Sequence, residues 1–294
     1  MNILITGGTG FIGAALIDSL TASGHFITVY TRQSCASTAV CRYLQNLDDL
    51  ADDTQLDAVI NLAGAPLAGS RWTERYQREI LASRLDITGD LLLLLHRLTH
   101  KPRVLLSASA IGYYGHHGDE KLAEDGAVSA GFSHELCRQW EALAQQATSL
   151  GIRVCLMRLG VVLDSGGGAI LEMARPFEFG VANWLGDGRQ WLSWVHRQDV
   201  VNAVAFLLEH EELEGPFNIT APEPVTSKGF CAVMKQHKRT FITAPVPAFI
   251  MRILIGPMAQ ELLLKGQRVV PTALQAAGFD FSFASLDEAL AEIY

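Results

Sequence analysis

The stretch that most constrains this chain is the apolar run Ile3-Leu4-Ile5-Thr6 leading straight into Gly7-Gly8-Thr9-Gly10-Phe11-Ile12-Gly13, with helical spacing from Ala14 to Leu20. Glycine at 7, 10 and 13 permits a tight bend and close approach of backbone N–H groups to an anion, and the following helix turns its positive dipole end toward it. A glycine triplet alone signifies little more than a turn. A second strand pattern at Phe26 to Thr31 completes the strand–helix–strand unit in which the same triplet becomes a pyrophosphate cradle. The predicted fold class is therefore α/β, a doubly wound parallel sheet.

With 294 residues, 49% of them hydrophobic, the chain can bury a large core. Its net charge is −8 and no Lys/Arg block exceeds two residues, so no footprint for a phosphate backbone is present and nucleic acid is not expected as a partner. The five cysteines at 35, 41, 137, 155 and 231 show no C-x-x-C spacing, which fits reduced thiols and a cytoplasmic setting. Glycine interrupts the Ile3-Leu4-Ile5 run, and the Leu91 to Leu95 block is too short to cross a membrane, so it reads as the buried centre of a helix.

The second strand ends at Thr31-Arg32, where a dinucleotide fold meets the adenosine ribose. A carboxylate there would serve the ribose hydroxyls of NAD, and none is present. Arg32 instead suits a 2′-phosphate, with Thr31 and Gln33 or Ser34 as further donors, so NADP is expected rather than NAD. The competing reading is a solvated arginine in a loop. Residues 56–64 form a buried strand closing in Leu62-Ala63-Gly64, where the small side chains of Ala63 and Gly64 leave room for adenine and ribose to lie over the strand end, while Asn61 is open to serving the loop backbone instead.

Beyond it, Arg71-Trp72-Thr73 and Ser83-Arg84 flank a helix that either closes over the substrate side or simply packs. The strand Val104-Leu105-Leu106 runs into Ser107-Ala108-Ser109-Ala110-Ile111-Gly112-Tyr113-Tyr114-Gly115. Hydroxyls at such a strand end can hydrogen-bond a substrate carbonyl or alcohol during hydride transfer, with Ser109 first among them, Tyr114 the preferred phenol and Tyr113 its neighbour. The alternative is a loop whose hydroxyls cap its own backbone. His116-His117 has no cysteine or carboxylate at the spacing of a closed metal site, and no metal is expected. A glycine loop at 164–168 has the composition of a lid hinge. In Trp194-Val195-His196, the histidine is either a local hydrogen-bonding group or a proton carrier, and Asp199 is placed as the N-cap of a helix over 200–208. The tail from 245 reads as an apolar helix over 249–264 broken at Gly256-Pro257, a polar joint and a last helix from Ser285. Its stripe Phe249, Ile253 and Met258 is core or an oligomer face, leaving monomer and homodimer both open.

Taken together, the T-G-G-T-G-x-x-G turn, the N-L-A-G strand end, the S-x-S-A…Y-Y-G segment, W-V-H-x-x-D and G-P-F-N-I resemble the extended short-chain dehydrogenases/reductases. Arg71-Trp72-Thr73, Ser83-Arg84, Trp140-Glu141, Gly188-Arg189-Gln190 and the tail motifs Gly266-Gln267-Arg268 and Ala277-Gly278-Phe279 resemble more closely the YfcH-like atypical branch of the NAD(P)-dependent epimerase/dehydratase proteins. The resemblance implies a seven-stranded parallel Rossmann sheet over residues 1–220, substrate-side insertions at about 165–195, and a C-terminal extension over 221–294. It also implies NADP at Gly7, Gly8, Thr9, Gly10, Phe11, Ile12, Gly13 and Arg32. In the superfamily a Tyr-x-x-x-Lys pair follows the serine strand, the tyrosine as acid/base and the lysine lowering its pKa while holding the nicotinamide ribose. Counting back from Trp140-Glu141, those positions fall on Ser133 and Cys137, and no lysine lies between Lys121 and Lys228. Two classes of function follow. One is an oxidoreductase or epimerase for a small polar or sugar-like molecule, assisted by Ser109 and by Tyr113, Tyr114 or His196. The other is a non-catalytic NADP-binding sensor or scaffold, division-related in one version.

Overall fold

The computed structural model describes residues 1–67, 69–255, 261 and 264–294, of which 252–255 are described by their backbone alone. In chain order the first half comprises β1 (Asn2–Thr6), α1 (Phe11–Ala22), β2 (Phe26–Tyr30), β3 (Cys41–Leu44), β4 (Ala58–Asn61), α2 (Glu74–Arg97), β5 (Val104–Ala110), β6 (Lys121–Leu122) and α3 (Phe132–Ala144). The second half continues with β7 (Arg153–Leu159), β8 (Val161–Asp164), β9 (Gly167–Gly168), α4 (Ala169–Glu178), β10 (Val181–Leu185), β11 (Trp191–Leu192), β12 (Trp194–His196), α5 (Arg197–Glu209) and β13 (Gly215–Ile219). The tail adds β14 (Val225–Thr226), α6 (Ser227–His237), β15 (Ile242–Val246), α7 (Ala248–Ile255), β16 (Arg268–Val269), α8 (Thr272–Ala276) and α9 (Leu286–Ile293).

Seven strands form the central sheet in the order β13-β7-β5-β4-β1-β2-β3, every pair parallel. Parallel strands need crossovers, and the helices of those crossovers cover both faces, which is why β1 is apolar at three successive positions rather than at alternate ones. Ile3 and Ile5 face the layer of Leu16, Leu20, Val204 and Leu207, while Leu4 faces Leu91, Leu94 and Leu95 of α2. The Leu91 to Leu95 block is indeed a helix centre, with Leu93 alone turned outward. The strand order reverses between β1 and β4, and ligands in open α/β sheets bind in the crevice at that point, beyond the carboxyl ends of the strands. Register places Thr6, Tyr30, Asn61 and Ser107 in one row and Ser109, Arg158 and Asn218 in another.

The tail is sewn onto this sheet by two carboxylates, Asp199 fully buried and Glu124 half-buried. Asp199 accepts the N–H groups of Ser282 (2.8 Å) and Phe283 (3.0 Å), and Glu124 accepts those of Asn218 (3.0 Å) and Ala273 (3.1 Å). Burial raises both pKa values above the ordinary carboxylate range, against the pull of those hydrogen bonds. Asp199 is thus not the helix cap expected of it. α5 starts three residues earlier than the hydropathy pattern implies, at Arg197, and its cap is His196, whose Nδ1 accepts from the Gln198 N–H. The last helix does begin where expected, with Ser285 and Glu288 closing a capping box. In the expected apolar helix of the tail, Phe249 on α7 is exposed, whereas the Ile253 side chain, Met258 and the break at Gly256-Pro257 lie outside the described residues. Among the described residues no helix is long and apolar enough to cross a membrane, and all five cysteines are free.

Candidate dinucleotide and substrate site

The glycine turn is built to the tolerance of a missing methyl group. A Cβ on Gly13 would stand 2.4 Å from the Gly7 carbonyl oxygen and 2.6 Å from the Gly8 Cα, and one on Gly7 would stand 2.7 Å from the Leu62 carbonyl. Gly7 also has φ +71°, a conformation that side chains resist. β1, the turn and the end of β4 therefore touch backbone to backbone. The cap of α1 is Gly10, with no side chain bonded to the helix end and no acidic residue in the first turn, so the N–H groups at its positive end are left for an outside anion. Thr9 and Gly10 are exposed and Phe11 and Ile12 half-buried beside it. These residues fit a pyrophosphate. Where bound, a nicotinamide dinucleotide would rest on Gly7 to Gly13 and supply or accept a hydride.

At the end of β2, Thr31 is buried, with its hydroxyl 3.5 Å from that of Thr9 and accepting the Gln33 N–H, while the Arg32 side chain is exposed. The Arg32 carbonyl takes a hydrogen bond from Gln45, which ties this loop to β3. At the end of β4, Asn61 is fully buried: it accepts from Thr6 (2.7 Å) and donates to Thr88 (2.9 Å) and Ser107 (3.3 Å). It braces three strand ends against α2 rather than serving a loop. Leu62 and Ala63 pack against Gly7, and Gly64 has its open side taken by the guanidinium of Arg84, whose Cζ lies 2.8 Å from where a Cβ would stand.

Toward β5, β7 and β13 a continuous polar network lies beneath the crevice. Arg158 of β7 grips Glu141 of α3 with Nε and Nη2, both at 2.9 Å, and its Nη1 donates to the Tyr114 hydroxyl (2.9 Å) and the Glu124 carbonyl (2.9 Å). Ser109 donates to Glu141 at 2.6 Å, and Tyr114 donates to Asn218 at 2.7 Å. Every charge in this group is matched, the condition under which an ion pair survives burial.

Two of the residues expected to do chemistry, Tyr114 in this network and His196 outside it, are engaged in packing. Tyr114 is completely buried with its hydroxyl engaged on both sides, and burial pushes its pKa up to about 12 although Arg158 and Asn218 pull the other way. The phenol is thus held within the packing, between the Arg158 guanidinium and the Asn218 side chain. Tyr113 is the half-exposed neighbour, its ring 3.5 Å from the Arg158 Cζ. His196 is 2% exposed, caps α5, stacks on Phe283 and reaches Glu292 through Nε2 at 3.2 Å, so it fastens the tail. Ser109 stays at the strand end with its proton directed to Glu141. His116 and His117 bond the Gly266 and Tyr114 carbonyls, and among the described residues no cluster suits a metal.

Trp72 packs edge-on against Phe132, and Thr73 caps α2, so that motif joins α2 to α3. The 164–168 loop rests its glycines on the Phe11 ring, while Arg197 bonds both Asp164 (3.0 Å) and the Phe11 carbonyl (3.3 Å). Ser133 and Cys137 sit side by side on α3, facing Gly112. Ser133 donates to Glu261 at 2.9 Å, and burial pushes the Cys137 thiol up to about 11. Glu141, Arg158, Arg84 and Glu261 were not among the expected site residues. A charged residue inside the apolar run Val154-Cys155-Leu156-Met157-Arg158 was the one visible signal, since a buried strand tolerates a charge only where a partner waits.

Comparison with known proteins agrees with this geometry. Residues 3–220 match the profile of the NAD dependent epimerase/dehydratase family, and residues 246–293 match a domain of unknown function, DUF1731. Epimerase family protein YfhF of Bacillus subtilis is 36% identical over 299 residues, covering 100% of this chain and 98% of that protein. A crystal structure of human epimerase family protein SDR39U1 (isoform2) with NADPH superposes with a TM-score of 0.90 at 32% identity, covering 100% and 99% of the two chains. A nucleoside-diphosphate sugar epimerase from Corynebacterium glutamicum superposes with a TM-score of 0.79 at 28% identity, covering all of this chain and 58% of that one.

Proposed function

Because the chain belongs to the NAD dependent epimerase/dehydratase family, we propose that it is an NADP-dependent oxidoreductase or epimerase for a small polar or sugar-like substrate, working without the Tyr-Lys pair usual in the superfamily. The observation that carries the reading is the open positive end of α1 over a glycine turn that excludes any side chain, in the same sheet in which β5 ends at Ala110 and half-exposed Tyr113 follows. In this reading residues 1–220 form the nucleotide-binding body, with the substrate side completed by 165–195 and the extension 221–294. The pyrophosphate lies on Gly7 to Gly13, Leu62 and Ala63 border the adenosine with Gly64 beyond them toward the nicotinamide half, and Arg32 with Thr31 takes the 2′-phosphate. The NADPH of the human relative's crystal structure supports the same choice of cofactor.

Chemistry falls to Tyr113, with Ser109 as a positioning residue. Ser109 is 2% exposed and donates to Glu141 at 2.6 Å, so it holds the Glu141–Arg158 pair in place under the Tyr113 ring. The Tyr113 phenol, poised over the Arg158 guanidinium, exchanges the proton on the substrate oxygen.

Titrating purified protein with NADPH tests the first half. Arg32→Ala is expected to weaken NADPH at least about tenfold, the worth of a charge-assisted contact of about 1.5 to 3 kcal/mol, and to leave NADH unchanged. Equal affinity of the unmutated protein for NADH and NADPH refutes the 2′-phosphate assignment. The second half is read from absorbance of the reduced cofactor in a mixture of small polar metabolites, where turnover should fall at least about a hundredfold in Tyr113→Phe. Tight NADPH binding with no absorbance change in any mixture favours a sensor or scaffold, the reading that the lysine-free α3 supports.

A further inference from the structure

Arg84 is a buried cation without an anion. It is 9% exposed, and Nη1 donates to the Ile80 carbonyl (3.1 Å) and the Ser83 hydroxyl (3.3 Å) and Nη2 to the Ala65 carbonyl (3.1 Å). All of these acceptors are neutral, and no carboxylate forms an ion pair with it among the described residues, whereas buried Arg158 has Glu141. Nε and one hydrogen of Nη2 have no acceptor among those residues. A buried N–H without an acceptor costs stability, so the unspent Nε–H and Nη2–H are the groups that a neutral oxygen outside the folded chain would answer. Desolvation at this place indeed lowers the pKa of Arg84.

Its position names what answers it. Arg84 stands against exposed Gly64 at the end of β4 and 5.2 Å over the Trp140 ring of α3, near enough to Cys137 for each to act electrostatically on the other. With the pyrophosphate over α1 and the adenosine toward β2, the other half of a bound dinucleotide runs toward the ends of β4 and β5, the side on which Arg84 lies. Cys137 is the position where a superfamily lysine would hold the nicotinamide ribose.

Resting on NADP as the cofactor, we propose that Arg84 supplies from α2 the cation that α3 lacks, and that it binds the ribose hydroxyls of the nicotinamide nucleotide. The free donors of its planar fork suit a vicinal diol, and the glycine at 64 keeps a side chain out of the guanidinium's place. Gly64 is therefore small for the sake of the arginine.

The test compares two probes, NADPH and adenosine 2′,5′-bisphosphate, which carries the 2′-phosphate but no nicotinamide nucleotide. Arg84→Met should raise the dissociation constant for NADPH at least about tenfold and leave that for the bisphosphate within about twofold, while Arg84→Lys, which keeps a charge but loses the fork, weakens NADPH by less than Arg84→Met does. Binding of the bisphosphate doubles as the check that each variant is folded. Unchanged NADPH affinity in Arg84→Met overturns the proposal, since it assigns the cation to substrate or to nothing. Equal weakening of both probes also overturns it, because it makes Arg84 structural. If the unmutated protein binds neither probe, the cofactor reading itself has failed, an outcome separable from either of these.

Discussion

Gly13→Ala is expected to abolish measurable NADPH binding while leaving most of the protein folded. The added methyl would stand 2.4 Å from the Gly7 carbonyl oxygen, 2.6 Å from the Gly8 Cα and 2.9 Å from the Gly8 carbonyl carbon, all of them backbone atoms that cannot rotate aside. The turn must lift off the helix, and the N–H groups around Gly10 then lose their common aim. Losing two charge-assisted contacts of about 1.5 to 3 kcal/mol each corresponds to more than about a hundredfold in affinity. The strain itself costs about 1 to 3 kcal/mol of stability. Gly89→Ala is the matched control: like Gly13 it lies in a helix without a positive φ, but a Cβ there meets nothing within 4 Å. Titration of both variants with NADPH and a thermal melt of each decide the matter. Retained affinity in Gly13→Ala would mean that the pyrophosphate lies elsewhere.

Arg158→Met should be the most destabilising single change in the sheet, by about 3 to 5 kcal/mol in a denaturant titration. The side chains of Arg158 and Glu141 are 4% and 8% exposed, and the methionine variant strands the Glu141 carboxylate in the interior with Ser109 as its one remaining donor among the described residues. Tyr114 and the Glu124 carbonyl lose a donor in the same step. Glu141→Gln should cost less, because a neutral amide still accepts from Arg158 and leaves the cation rather than the anion short of a partner. Equal stability of Arg158→Met and the unmutated protein would show that the pair contributes nothing beyond its volume.

What could be read in advance divides by sequence distance. The cradle was legible because its parts are neighbours: a strand, a glycine turn and a helix within the first 22 residues, each with its own local rule. Both-face burial of β1 and the N-terminal end of α9 followed from equally local patterns. The polar network was not legible, since its bonds join residues 17, 44 and 104 positions apart on different elements. Tyr113 and Tyr114 are adjacent and chemically identical, and only the packing of the turn decides which is buried. Asp199 has the composition of a cap, but a turn of chain 83 residues later claims its carboxylate.

That same pair of carboxylates bears on how the protein is made. Asp199 finds its donors at Ser282 and Phe283, and Glu124 one of its own at Ala273. All seven strands of the large sheet lie before residue 220 and these three donors lie beyond it, so in the order of synthesis the sheet is complete before its carboxylates are answered. The sheet can form first, and the later turns of chain then lock it by supplying those N–H groups.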